Sequence, residues 1–109
     1  MRVDRLEIIR DRVLAEPEKL DMSSYHCGTS HCIAGWATWL FAEGDARLAE
    51  SPEMAQELLG LTNDQADNLF YPPAWQLAGK FWEEITAPHA AKVIDHLIST
   101  GEVDWRVGL

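Results

Sequence analysis

Apolar residues recur three or four positions apart along most of this chain. Val3, Leu6, Ile9 and Val13 fall at helical spacing, with Ile8 and Leu14 widening the stripe and Arg and acidic residues on the other side. The spacing predicts a helix over 3–15. Pro17 stops it or opens a short turn through Leu20, because proline has no N–H to give a helix interior. After a loop over 21–28, a second helix is expected from Thr29 or Ser30, either of which can cap it, to Phe41 or Ala42. Ile33, Trp36, Leu40 and Phe41 line one side of it, and Ala34, Gly35, Ala37 and Thr38 are small. A surface apolar nearly all round marks it as the central helix. A glycine inside a helix costs about 1 kcal/mol against alanine, so Gly35 is expected where another backbone comes close.

Ser51-Pro52-Glu53 starts a third helix: a capping hydroxyl, proline at the first helical position, then an acid suited to the helix dipole. Gly60 ends it. Thr62 with Gln65 forms a capping-box pattern for a fourth helix carrying Ala66, Leu69 and Phe70, closed by Tyr71-Pro72-Pro73. Between 74 and 85 the periodicity weakens; Trp75, Leu77, Phe81 and Trp82 suggest a buried segment with a helical turn. A fifth helix is expected from Thr86 to Gly101 on the face Ala90, Val93, Ile94, Leu97 and Ile98. The tail alternates Val103, Trp105 and Val107 and is expected to lie extended on the core. The expected fold is all-α: one compact domain over 1–109, about five helices with a short extended C-terminal tail.

Composition agrees with one domain. At 109 residues, 47% apolar and 25% charged, the chain can bury a modest core without a disulfide or metal. No run reaches the roughly 18 apolar residues that span a bilayer. The opening MRVDRLEIIRDRV is charged throughout and lacks a signal peptide's apolar stretch. A cytoplasmic location is therefore expected, where thiols stay reduced. The net charge is −9, of which residues 1–12 contribute +1 and the remainder −10. Such a surface repels nucleic-acid phosphates and favours basic partners. Residues 53–70 have the outline of a helix-turn-helix, yet the would-be reading helix carries Asp64 and Asp67 and no Lys or Arg, which argues against DNA. Five Trp belong in the core or at a contact surface.

Chemistry concentrates in SSYHCGTSHCIAGWATWL, residues 23–40. His26, Cys27, His31 and Cys32 are zinc-type ligands, but they form two adjacent doublets within seven residues, unlike the separated pairs of structural zinc sites. A Cys27–Cys32 disulfide would close a short loop and stabilise little, though it could act as a redox-sensitive staple. Cys32, near a helix start, has the setting of a thiolate nucleophile, with His31, His89, Asp95 and His96 as candidate partners. His89 and His96 share a charged-looking face with Lys92, which suits solvent better than catalysis. A purely structural corner is the fourth possibility: buried thiols, a turn at Gly28, a cap at Thr29, and His26 and His31 on loop carbonyls. The residues alone leave all four open.

The run Cys27-Gly28-Thr29-Ser30-His31-Cys32-Ile33-Ala34-Gly35-Trp36-Ala37 resembles a signature, C-G-T-x-x-C-[IL]-A-G-W-A, of small uncharacterised bacterial and bacteriophage proteins. PEKLDM at 17–22 and LLGLTNDQADNLFYP at 58–72 are similar to that group too. The resemblance implies that the spacing of Cys27 and Cys32 is part of the group's design, together with Gly28, Thr29, Gly35 and Trp36. It leaves His26 and His31 outside the fixed positions. A phage or host regulatory setting would fit it. The expected function is a small acidic cytoplasmic module that binds a protein partner, with a basic one the natural match, and with no nucleic acid, membrane, cofactor or catalysis of its own. The alternative is a protein centred on Cys27 and Cys32, using them for zinc binding, redox switching or thiol hydrolysis.

Overall fold

Helix α1 spans Val3–Ala15 in a computed structural model that describes residues 1–20, 22, 26–27, 30–42 and 52–108. It buries Leu6, Ile9 and Val13 completely, whereas Ile8 and Leu14 are 45% and 47% exposed. The apolar stripe is thus narrower than its composition suggests. At about 100° per residue, Ile8 and Leu14 both lie more than a right angle round the helix from the Leu6–Ile9–Val13 line. A single 3-10 turn at Pro17–Lys19 follows.

Two short strands, β1 (His26–Cys27) and β2 (Ser30–His31), pair antiparallel, His26 opposite His31 and Cys27 opposite Ser30. Helix α2 then runs Ile33–Phe41, later than Thr29 or Ser30 would start it. Ser30 is spent on the strand pairing, so Cys32 becomes the cap: its Sγ accepts from the Gly35 N–H at 3.5 Å. Every residue from Ile33 to Thr38 is buried, as a central helix requires. α2 packs against α1, α3 (Pro52–Leu59) and α4 (Asn63–Phe70).

Local signals set the next boundaries. Gly60, at φ +65°, reverses the chain after α3, where an added Cβ would meet the Met1–Arg2 backbone at 3.4 Å. The Thr62–Gln65 capping box is complete, with bonds of 3.1 and 3.0 Å. Helix α5 spans Ala87–Thr100; Thr86 caps it by accepting from the His89 N–H, and Gly101 closes it in the left-handed region. α5 packs on α1 and on a C-terminal 3-10 turn, Trp105–Gly108. An exposed ion pair, Arg10 to Asp95 at 2.7 Å, also joins α1 to α5.

The fold is therefore all-α, five helices with one small strand pair among the described residues. The radius of gyration is 12.5 Å, near the roughly 13 Å of a single domain this long. The tail does lie on the core, and its last part coils into the 3-10 turn. Among the described residues no helix is long and apolar enough to cross a membrane.

Candidate functional site

The cysteine-rich corner is only partly within the described residues. Gly28 and Thr29 lie outside them, as do the side chains of His26, Cys27 and His31. Cys32 is 5% exposed and caps α2; Gly35 and Trp36 are buried in that helix. Two of the three downstream partners considered for a Cys32 nucleophile are engaged elsewhere. His89 bonds to the backbone of Trp105, and Asp95 pairs with Arg10. Among the described residues no three His, Cys, Asp or Glu side chains gather as a metal site.

His89 corrects the reading of its face. It is buried, not solvent-facing. Its Nε2 lies 2.6 Å from the Trp105 carbonyl; a carbonyl only accepts, so that nitrogen carries the proton. The imidazole meets the Trp105 indole edge-on, with centroids 5.4 Å apart. A Cβ at Gly108 would overlap the His89 ring, which keeps that position glycine.

Trp105 is the keystone of this end of the molecule. It is fully buried. Its indole Nε1 donates to the Asn68 carbonyl at 2.7 Å, and its backbone N–H donates to Gln76 Oε1 at 3.0 Å. With His89 on its carbonyl, it ties α4, the 74–76 turn and α5 together. Burying an indole is favourable provided its N–H finds an acceptor.

The segment between α4 and α5 inverts the expected burial. Two 3-10 turns, Ala74–Gln76 and Trp82–Glu84, flank a reversal at Ala78 and Gly79, both at positive φ. Leu77 is buried as anticipated, and so is the polar Gln76. Trp75 and Phe81 are 69% and 70% exposed, and Tyr71 and Trp82 stay partly exposed. Their exposure has a framework beneath it. Trp82 donates from Nε1 to the Pro72 carbonyl at 3.0 Å and stands 6.1 Å from the Tyr71 ring. Phe81 and Trp82, with Ala74 and Leu77, line a depression of about 320 Å³ whose rim carries Lys80 and Glu83. The Tyr71 hydroxyl is held above its ordinary pKa by partial desolvation first, then by electrostatic interaction with Cys32, Glu53 and Asp67.

Beside this aromatic shelf lies an open polar groove of about 540 Å³ between the start of α4, the end of α5 and the C-terminal turn. Arg106 links the two. It grips Asp104 with both prongs of its guanidinium at 2.8 Å and lies 5.1 Å over the Trp75 ring. That fork pushes the Asp104 carboxyl down to about 2. Gln76 did not stand out in the sequence, and His89 stood out only as a candidate partner for Cys32, not as a buried structural residue. Both act through Trp105, which is distant along the chain, so no local pattern announces them.

The chain matches no family model, no curated protein and no solved structure.

Proposed function

We propose that this chain is a small acidic protein-binding module, without catalysis of its own, that meets its partner through the shelf of Tyr71, Trp75, Phe81 and Trp82. One observation carries the reading: four aromatic side chains stand in solvent on one short segment that the fold fixes at both ends. Large exposed aromatics are costly to keep in water and are enriched where proteins meet. The net charge of −9 favours a basic partner and speeds its approach.

The test is affinity capture from a cell extract with the wild-type chain and with Trp75→Ala/Phe81→Ala as baits. The proposal expects a basic protein on the wild-type bait, eluted by salt and missing from the variant. The same proteins on both baits would contradict it.

A second reading rests on Cys32. A thiol at a helix N-terminus is electrostatically biased toward thiolate, which would suit a protein centred on Cys27 and Cys32 in metal, redox or hydrolytic chemistry. Cys27→Ser and Cys32→Ser separate the two. A binding module keeps its partner in both variants, with some loss of stability. A Cys-centred function is abolished by either while helical circular dichroism is unchanged.

A further inference from the structure

The aromatic shelf is complementary to itself in both shape and charge. Phe81 stands out of the surface at 70% exposure, and at its side lies the hollow of about 320 Å³ lined by Ala74 and the buried Leu77. Lys80 and Glu83, a cation and an anion, share the rim of that hollow, and neither is ion-paired among the described residues. The segment that carries them is held in place. Glu84 Oε2 accepts from the Phe81 N–H at 2.6 Å, and Trp82 is tied to the Pro72 carbonyl. A projection beside a hollow, and a cation beside an anion, are what a two-fold rotation matches to itself. With the axis between ring and hollow, the Phe81 of each copy enters the hollow of the other. The same rotation sets Lys80 of each copy against Glu83 of the other.

Charge also decides where two copies can meet. The chain carries −9, which opposes approach over most of its surface. Around the hollow and Trp75, the two cations Lys80 and Arg106 stand against the three carboxylates of Glu83, Glu84 and Asp104, leaving −1. The Tyr71 end of the shelf interacts with Glu53 and Asp67 and stays at the margin. Area sets the strength. Trp75, Phe81 and Trp82 are 69%, 70% and 36% exposed. At about 150–250 Å² a ring they offer on the order of 300–400 Å² per copy. The total of about 600–800 Å² is below the roughly 1,200 Å² of a stable interface. We propose that the shelf pairs with the shelf of a second copy of this chain in a weak two-fold dimer, Phe81 to hollow and Lys80 to Glu83. The dimer covers the face assigned above to a protein partner, so the two compete, but its formation requires no partner.

The experiment is sedimentation equilibrium of the purified, reduced chain from about 0.02 to 1 mM, a range that brackets a dissociation constant on the order of 0.1 mM. The wild-type mass is expected to rise from 12.3 kDa toward twice that value, while Trp75→Ala/Phe81→Ala stays monomeric throughout. The rim gives the sharper readout. Each facing pair occurs twice in a two-fold dimer, so Lys80→Glu and Glu83→Lys should each weaken association about tenfold. The double swap should restore it. Net charge alone predicts the opposite for Glu83→Lys, which lowers the repulsion between copies and would tighten the dimer. All four positions are exposed, so the monomer fold is retained. A wild-type chain still monomeric at about 1 mM, or association unchanged in Trp75→Ala/Phe81→Ala, would overturn the proposal. So would tighter association of Glu83→Lys, or a double swap that fails to recover. No partner is present in this measurement, so its failure leaves partner capture to decide the binding module. Failure of partner capture likewise leaves the dimer standing.

Discussion

Helix α5 and the segment from Tyr71 to Glu84 lie next to each other in the chain and obey opposite rules. On α5 the apolar positions Ala90, Val93, Ile94 and Leu97 are all buried. In the segment, Trp75 is 69% exposed and its neighbour Gln76 is 7% exposed. Burial on α5 follows from period and hydrophobicity alone, because a regular helix has one face to give to α1. The segment is built from short turns, each residue of which points where the turn geometry sends it. There Gln76 is placed inward by a bond to the Trp105 backbone, and Trp75 is left outward with Arg106 over its ring. The difference teaches that an aromatic residue off a regular helix is not evidence of core, and that a polar one can be the structural member of the pair.

Substitutions at the keystone should break the ordered side first. Trp105→Ala removes the largest buried side chain of the tail, its indole bond to the Asn68 carbonyl and its edge-on contact with the His89 ring. It should cost about 3–5 kcal/mol, a large part of the 5–15 kcal/mol that holds a typical domain together, and urea unfolding would show it as a strongly lowered midpoint. Gln76→Leu is apolar and similar in size, yet it should destabilise by about 1–3 kcal/mol, because the Trp105 N–H then lacks its acceptor. A midpoint equal to wild type would mean that Gln76 does not hold the tail. Trp75→Ala, one residue away, forfeits the solvent-screened Arg106 stacked on its ring, so its midpoint should stay close to wild type.

The smallest effect is electrostatic. Asp104 titrates at about 2 because Arg106 grips it, below the roughly 3.9 of a free aspartate. A lowered folded-state value means that this contribution is complete above pH about 4 and disappears as the pH falls through about 2. A carboxyl NMR titration should find Asp104 at the low value in wild type and back near about 4 in Arg106→Ala. Release of Arg106 from Asp104 in acid should also free the Trp75 ring.

The parts of the fold visible in the sequence are those decided within a few residues. Thr62 with Gln65, Thr86 and Gly101 set helix ends through their own side chains or backbone, and all are found in those roles. The α1 limits follow from period and Pro17. Cys32 as a cap was not visible, since Ser30 is the stronger capping residue by type and only the strand pairing removes it. Ile8 and Leu14 misled because their count, rather than their angle round the helix, suggested burial. His89 was hidden for a different reason: its burial depends on Trp105, reached only after the chain turns at Gly101. The shelf and the groove were illegible for the same cause, as they are assembled from α4, two 3-10 turns and the tail. The acidic character that suggests a basic partner, by contrast, was plain from composition.

The central claim is that the shelf serves contact and not stability. The measurement that tests it most directly is the urea midpoint of Trp75→Ala/Phe81→Ala, taken on the same preparation used for partner capture. The expected result is a midpoint near wild type with the partner lost. A lowered midpoint with the partner retained would contradict it and make these aromatics structural.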